Sequence, residues 1–193
     1  MDPIRIVITR RKTSRLSMRI GKDGSVRVSA PYFYPKANID AFIESHRSWM
    51  ADALVRHQEK SRQRSDFYAQ LPLETPAQKR AAKAKLQELV APMILEYAEK
   101  MSVSPSAIGF RASTSRWGSC NVKTKKINFS LYLLLLPDNC IRHIVVHELA
   151  HLLVPNHGPR FYTLMNKHFP QWEAASRQTR EMLKGNIILG IPV

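Results

Sequence analysis

From Ile4 onward apolar and polar residues alternate, through IRIVIT, then RLSMRI, then SVRVSA, with GKDG separating the last two. A period of two marks strands with one buried face, and a glycine-rich turn between two such runs closes a hairpin. Residues 4–30 therefore read as a small antiparallel sheet, ended by Pro31 and Pro35. The period then lengthens, and Ile39, Phe42, Ile43, Trp49 and Leu54 predict a first helix within KANIDAFIESHRSWMADALVRHQ. Residues 59–75, EKSRQRSDFYAQLPLET, carry no period and read as a linker or lid. Thr75 before Pro76 is a good N-cap and first-turn pair, and Leu86, Leu89, Val90, Met93, Ile94 and Tyr97 continue a long second helix to about Met101. IGFRAST and KINFSLYL read as strands around the turn-like SRWGSCNVKTK. Pro137 and Asp138 open a third helix that Pro155 stops. PRFYTLMNKHF and QWEAASRQTREMLKG are two further short helices, with Gly185 as a stop signal. The pattern is that of an α+β fold, read as a single domain over 1–193, with a basic β-hairpin and helix over 1–58, the linker or lid over 59–75 and a core over 76–193.

Composition adds one constraint to this picture. Of 193 residues 44% are hydrophobic, which suits a globular domain, but 30 Lys and Arg face 15 Asp and Glu, a formal charge of +15. Such an excess favours polyanionic neighbours, DNA or RNA among them, although it also serves as plain solubilising surface. No aromatic-rich platform or recognition-helix pattern stands out, so any such binding is expected to be non-specific. Cys120 and Cys140 are too few for a disulfide framework and form no CxxC pair. The first residues lack the apolar core of a signal peptide, and LYLLLL is far too short to span a bilayer, so the expectation is a cytoplasmic protein with no membrane association.

The chemistry concentrates in RHIVVHELAHLLVPNHGPRFY, residues 142–162. On a helix His147 and His151 differ by only about 40° in direction, so both imidazoles reach one ion. Glu148 lies about 60° from His151, where it addresses a water without being a ligand. This HExxH pattern points to zinc, which in catalytic sites takes three protein ligands and keeps one position open. His157, just beyond the helix stop, is the candidate third ligand, with Glu173 on the last helix as the alternative. The spacing matches the metzincin pattern, yet Val154 stands where that pattern has glycine, and Pro155 and Asn156 take over the turn. His143 is assigned to packing or to support behind the ligands. Arg116 is the candidate donor to a developing oxyanion, with Trp117 and Ser119 shaping its pocket; the alternative is a structural stack of Arg116 and Trp117 under the metal helix. Nothing pairs Cys120 with a base, which leaves it to packing.

SRWGSC, followed by HELAHLLVPNHGPRF and WEAASRQ, resembles the YgjP-like zinc metallopeptidase family, related to the WLM and SprT-like proteases; SRLSMRI and ESHRSWM extend the likeness toward the amino terminus. The resemblance implies a zincin-like, gluzincin-type metallopeptidase core, zinc on His147, His151 and His157, Glu148 as general base, and a polypeptide substrate. It also exposes a departure: the family's YLG-type strand segment between the first two helices is missing, and SDFYAQLPLET stands there instead. Two other functions fit the residues. The same activated water attacks phosphorus in a nucleotide phosphohydrolase of the nucleoside triphosphate pyrophosphatase type, which the cationic excess suits. Alternatively the zinc is structural in a basic nucleic-acid-binding module, a reading that leaves Glu148 without a purpose.

Overall fold

The computed structural model describes residues 4–184 and divides into two units, one up to Gln63 and one from Arg64. Gly185, read as a helix stop, lies outside the described residues.

In the first unit β1 (Ile6–Arg11), β2 (Ser17–Ile20) and β3 (Val26–Pro31) form a sheet in the order β1-β3-β2. The hairpin is as expected: β2 and β3 are antiparallel, joined through Gly24, which takes φ +75. The expectation of a wholly antiparallel sheet is corrected, because β1 runs parallel to β3, with Ile6 opposite Val26 and Arg10 opposite Ala30. Alternation reveals which face is buried but not the direction of the partner. The physical reason for the order is burial. Val26, Val28 and Ala30 are fully buried, so β3 is central, whereas the largely exposed β1 takes an edge. The apolar face meets Ile39, Phe42, Ile43, Met50 and Leu54. Those residues lie on two helices rather than the single one expected, α1 (Lys36–Ser45) and α2 (Arg47–Ala69). The break is at His46, whose ring Nδ1 meets the Phe42 carbonyl at 2.8 Å.

Residues 59–69 continue α2 and are not a linker; only 70–75 are irregular. No apolar period is visible there because the segment is mostly exposed. Glu59 pairs with Arg62 at 3.2 Å and accepts from Gln63 at 2.8 Å, contacts of the i, i+3 and i, i+4 type that support a solvated helix.

The second unit takes in the end of α2 and continues with α3 (Pro76–Lys100), where Thr75 and Gln78 form a reciprocal capping box. Its sheet, β4 (Ala107–Arg111), β5 (Gly118–Asn121) and β6 (Lys126–Ser130), has the order β4-β6-β5, with β4 parallel and β5 antiparallel to β6. β5 falls inside the stretch that reads as a turn, since GSCN has no apolar alternation. The strand expected through KINFSLYL stops at Ser130, and Leu131–Leu135 form a short 3-10 helix capped by the Ser130 hydroxyl, which accepts from the Tyr132 N–H at 3.3 Å. Helices α4 (Asp138–Ala150), α5 (Pro159–His168) and α6 (Trp172–Leu183) follow as expected. Leu86, Val90, Ile127, Leu133, Val145, Val146 and Leu149 are fully buried in one core, which makes α4 a central helix. Among the described residues no helix is long and apolar enough to cross a membrane.

Candidate metal centre

Nine of the 13 residues of α4 are buried. Its amino-terminal half is tied to α3 by Arg142, which donates to Glu96 at 3.0 Å and to its own Asp138 at 3.2 Å. That anchoring fixes the rotation of the helix, and with it the direction of His147 and His151. After Val154 the chain turns through Pro155 and Asn156, closed by Gly158 N–H to the Asn156 carbonyl at 2.8 Å, and returns His157 to the same point. The Nε2 atoms of His151 and His157 lie 3.2 and 3.0 Å from that of His147. His151 Nδ1 meets the Val154 carbonyl at 3.2 Å, a contact that requires the proton on Nδ1 and leaves the Nε2 lone pair facing its neighbours. Burial, reinforced by the rings of His151, His143 and His157, pushes the His147 pKa down to about 3, so this imidazole is neutral, the form that binds metal. Among the described residues these three form the group able to hold a metal ion. Glu173, the alternative ligand, is exposed at the start of α6 and is not part of it.

Beneath the three rings lies Phe161, 1% exposed, with centroids 4.9, 4.8 and 4.7 Å from His147, His151 and His157. Sequence reasoning gave it no role, although an aromatic four residues after the third histidine, at the start of a helix, was the available signal. His143 packs nearly parallel to Phe169 and Trp172, and its buried Nδ1 has no hydrogen-bond partner among the described residues.

Glu148 is 6% exposed, and burial lifts its carboxyl to about 7, with Arg116 pulling the other way. The strand packed against it is β5. Gly118 has an ordinary backbone, but a Cβ there would fall 2.5 Å from Glu148 Oε1 and 2.7 Å from Cδ, so only glycine lets the strand approach this closely. The histidines and Glu148 line an open cleft together with Ser115, Arg116, Gly118, Ser119 and Cys120. The structure thus brings Arg116 and Ser119 to the cleft, and places Trp117 elsewhere, against Phe67 and Tyr68. Cys120 lines the cleft; burial and the nearby Glu148 push its thiol pKa up, which keeps it protonated.

The loop bearing Arg116 is held from two sides. Arg64 and Tyr68, from the end of α2, both donate to the Thr114 carbonyl. From β6, Ser130 Oγ donates to the Ser113 carbonyl at 2.6 Å and its N–H to the Trp117 carbonyl at 2.8 Å. The SDFYAQLPLET segment is therefore a brace for the cleft wall. Beside the cleft a polar pocket of about 360 Å³ is lined by Arg111, Ser113, Ser115, Arg116, Ser119 and Asn128, among others.

Comparison with known proteins adds the following. A family model described as YgjP-like, metallopeptidase domain, matches residues 14–75 and 73–182. The UTP pyrophosphatase of Escherichia coli (strain K12) is 34% identical over 85 residues, covering 44% of this chain; the match spans about half of that relative, 51%. Among solved structures, the metallopeptidase zymogen abylysin of Pyrococcus abyssi is similar at 19% identity and TM-score 0.46, over 51% of this chain and 99% of that one. Jannalysin, the metallopeptidase zymogen of Methanocaldococcus jannaschii, is similar at 19% identity and TM-score 0.44, over 49% and 96%.

Proposed function

This chain belongs to the YgjP-like metallopeptidase-domain family, and from that premise we propose that it is a zinc-dependent hydrolase that cleaves peptide bonds. The histidine spacing supports zinc. Two imidazole nitrogens, each about 2.05 Å from a tetrahedral zinc ion, stand about 3.3 Å apart, and the nitrogens here are 3.2 and 3.0 Å apart. Zinc held there supplies Lewis acidity and brings the pKa of a coordinated water down to about 7. Glu148 takes the proton of the attacking water as oxygen adds to the scissile carbonyl carbon, then delivers it to the departing nitrogen as the C–N bond breaks. Its burial raises its affinity for a proton, which favours uptake near neutral pH. Arg116 lines the same cleft as Glu148, and in this reading it donates to the developing oxyanion.

One observation carries the peptide reading: β5, whose residues line the cleft, is an edge strand, paired among the described residues with β6 alone. An extended polypeptide adds to the edge of a sheet by main-chain hydrogen bonds. A second reading, hydrolysis of a nucleoside triphosphate at a phosphoanhydride, is favoured by the Arg111, Arg116 and serine-lined pocket and by the name of the Escherichia coli relative. The chemistry of Glu148 is the same in both, with phosphorus in place of carbon as the atom attacked.

One preparation tests both readings. Zinc-loaded protein and its Glu148→Gln variant are incubated with unfolded polypeptides and with a panel of nucleoside triphosphates. Zinc-dependent and Glu148-dependent appearance of new amino termini is the expected outcome. Release of pyrophosphate from a triphosphate with peptides left intact transfers the function to the second reading, and Glu148-independent turnover of either substrate removes this mechanism.

A further inference from the structure

The turn after β3 holds its most exposed side chains rigidly. Phe33 is 100% exposed and Tyr32 59%, although large apolar rings normally find cover. The turn is nevertheless fixed, because the Arg10 guanidinium donates to the carbonyls of Pro31, Tyr32 and Tyr34 at 3.2, 2.7 and 2.9 Å. Both rings are presented to solvent by a backbone that is tied down behind them. They share a shallow concavity with Arg11, Lys12, Thr13 and Ser14.

Charge gathers on the same sheet. Residues 4–35 hold eight Lys and Arg and a single acidic residue, Asp23, whereas residues 36–63 hold five and four. Within the first unit the cationic excess therefore lies on the sheet rather than on the helices. On the sheet face turned away from the helices, Arg19 stands directly across from Arg27, and Arg11 shares that face in the register of β1. Like charges directly opposed across strands are unfavourable. Asp23 reaches Arg27 at 3.4 Å and leaves Arg19 unanswered.

We propose that the sheet face turned away from the helices, together with the turn after β3, is a platform for single-stranded nucleic acid. Bases stack on Phe33 and Tyr32, and the phosphates run over Arg11, Lys12 and the Arg19–Arg27 row. A single strand combines repeated negative charge with uncovered flat π faces, which is what the cations and the exposed rings recognise together. A duplex keeps its base faces stacked inside and meets only the charges. An acidic bilayer also attracts basic residues and exposed rings, and Tyr32, Phe33 and Tyr34 share the concavity with Arg11, Lys12, Thr13 and Ser14, so vesicle capture without strand binding is one of the results that overturn the proposal. RNA and DNA share the recognised chemistry. The aromatic component escapes sequence reading because Tyr32 and Phe33 sit between two prolines at a strand end, where exposure is not legible. The proposal is independent of the hydrolytic reaction.

Fluorescence anisotropy with the full chain tests it, using labelled oligo-dT, oligo-U and a duplex of equal length over a series of salt concentrations. Single strands are expected to bind more tightly than duplex, equally with and without a zinc chelator. Phe33→Ala should weaken binding by between about fivefold and about a hundredfold, with the salt slope unchanged, and Phe33→Trp should retain it. The double variant Arg11→Ala, Lys12→Ala should flatten the slope of log affinity against log salt, by about 0.7 for each phosphate no longer neutralised. Arg10 is left in place because it holds the turn. Absence of binding at low salt, a Phe33→Ala variant that binds like the wild type, duplex held as tightly as single strand, or capture by phosphatidylserine vesicles without strand binding each overturns the proposal.

Discussion

Replacing Gly118 with alanine places one methyl group at the closest approach between β5 and α4. The new Cβ would stand 2.5 Å from Glu148 Oε1, against about 3.4 Å for an ordinary contact, so about 0.9 Å of displacement has to be found. The φ angle of Gly118 is not in the left-handed region, so the backbone accepts alanine and the whole effect comes from this contact. β5 yields little, being paired with β6 and followed on the β6 side by the Ser130 N–H bond to Trp117. Glu148 is the group that moves. A displacement of about 1 Å in a catalytic group costs on the order of 100-fold in rate, and overpacking of this size costs about 1–3 kcal/mol of stability. Gly118→Ala is therefore expected to lower kcat about 100-fold and reduce Tm while leaving zinc content at wild-type level, since no histidine is touched. Combining it with Glu148→Ala removes the clash, so the double variant should regain the stability lost to Gly118→Ala. The assays are turnover, metal analysis and thermal unfolding of the four proteins of that cycle. A Gly118→Ala enzyme with wild-type kcat and Tm refutes the close-approach argument.

Three further outcomes follow from the same geometry. His157→Ala should lose most of its zinc at a chelator concentration that the wild type withstands, measured by competition with a metal indicator; unchanged affinity moves the third ligand elsewhere. Phe161→Ala removes the ring under all three imidazoles and is expected to cost about 3–5 kcal/mol of stability and to weaken zinc about 10- to 100-fold, whereas Phe161→Leu should recover most of both. Tyr68→Phe deletes one of the two donors to the Thr114 carbonyl, with an expected loss of about 0.5–1.5 kcal/mol in chemical denaturation and zinc affinity unchanged; a fall in zinc affinity would mean that the brace acts on the histidines rather than on the Arg116 loop.

How much of this was legible beforehand depends on where the information lies. α3 and α4 show in the sequence because period and cap coincide: Thr75, Pro76 and Gln78 start one, and Pro137 and Asp138 the other. The grouping of His147, His151 and His157 was legible too, because helical spacing alone brings the first two together. Residues 59–69 were not, because this stretch of α2 buries Phe67 alone and so has no face to display in its pattern. β5 was missed for a related reason: its residues hold their place through the approach of Gly118 to Glu148, not through hydrophobicity. The parallel entry of β1 and β4, the Phe161 floor, and the departure of Trp117 from the cleft are all decided by partners distant in sequence, which local periodicity does not encode.

Both sheets place in the middle the strand that comes last in the chain, β3 between β1 and β2, and β6 between β4 and β5. That order bears on kinetics. While β4 and β5 are being made neither has a partner, and pairing waits for residues 126–130. β5 then closes on β6 across four residues, 122–125, an event of about 1–10 μs for a hairpin, whereas β4 must join in parallel across a longer loop at greater entropic cost. The cheapest route builds the β5–β6 hairpin first and docks β4 afterwards, so Ile127→Val is expected to slow folding and Ile108→Val mainly to hasten unfolding, the reverse result excluding this order. The wall of the cleft is then in place before α4, the next long segment of chain, brings Glu148 and the histidines up against it.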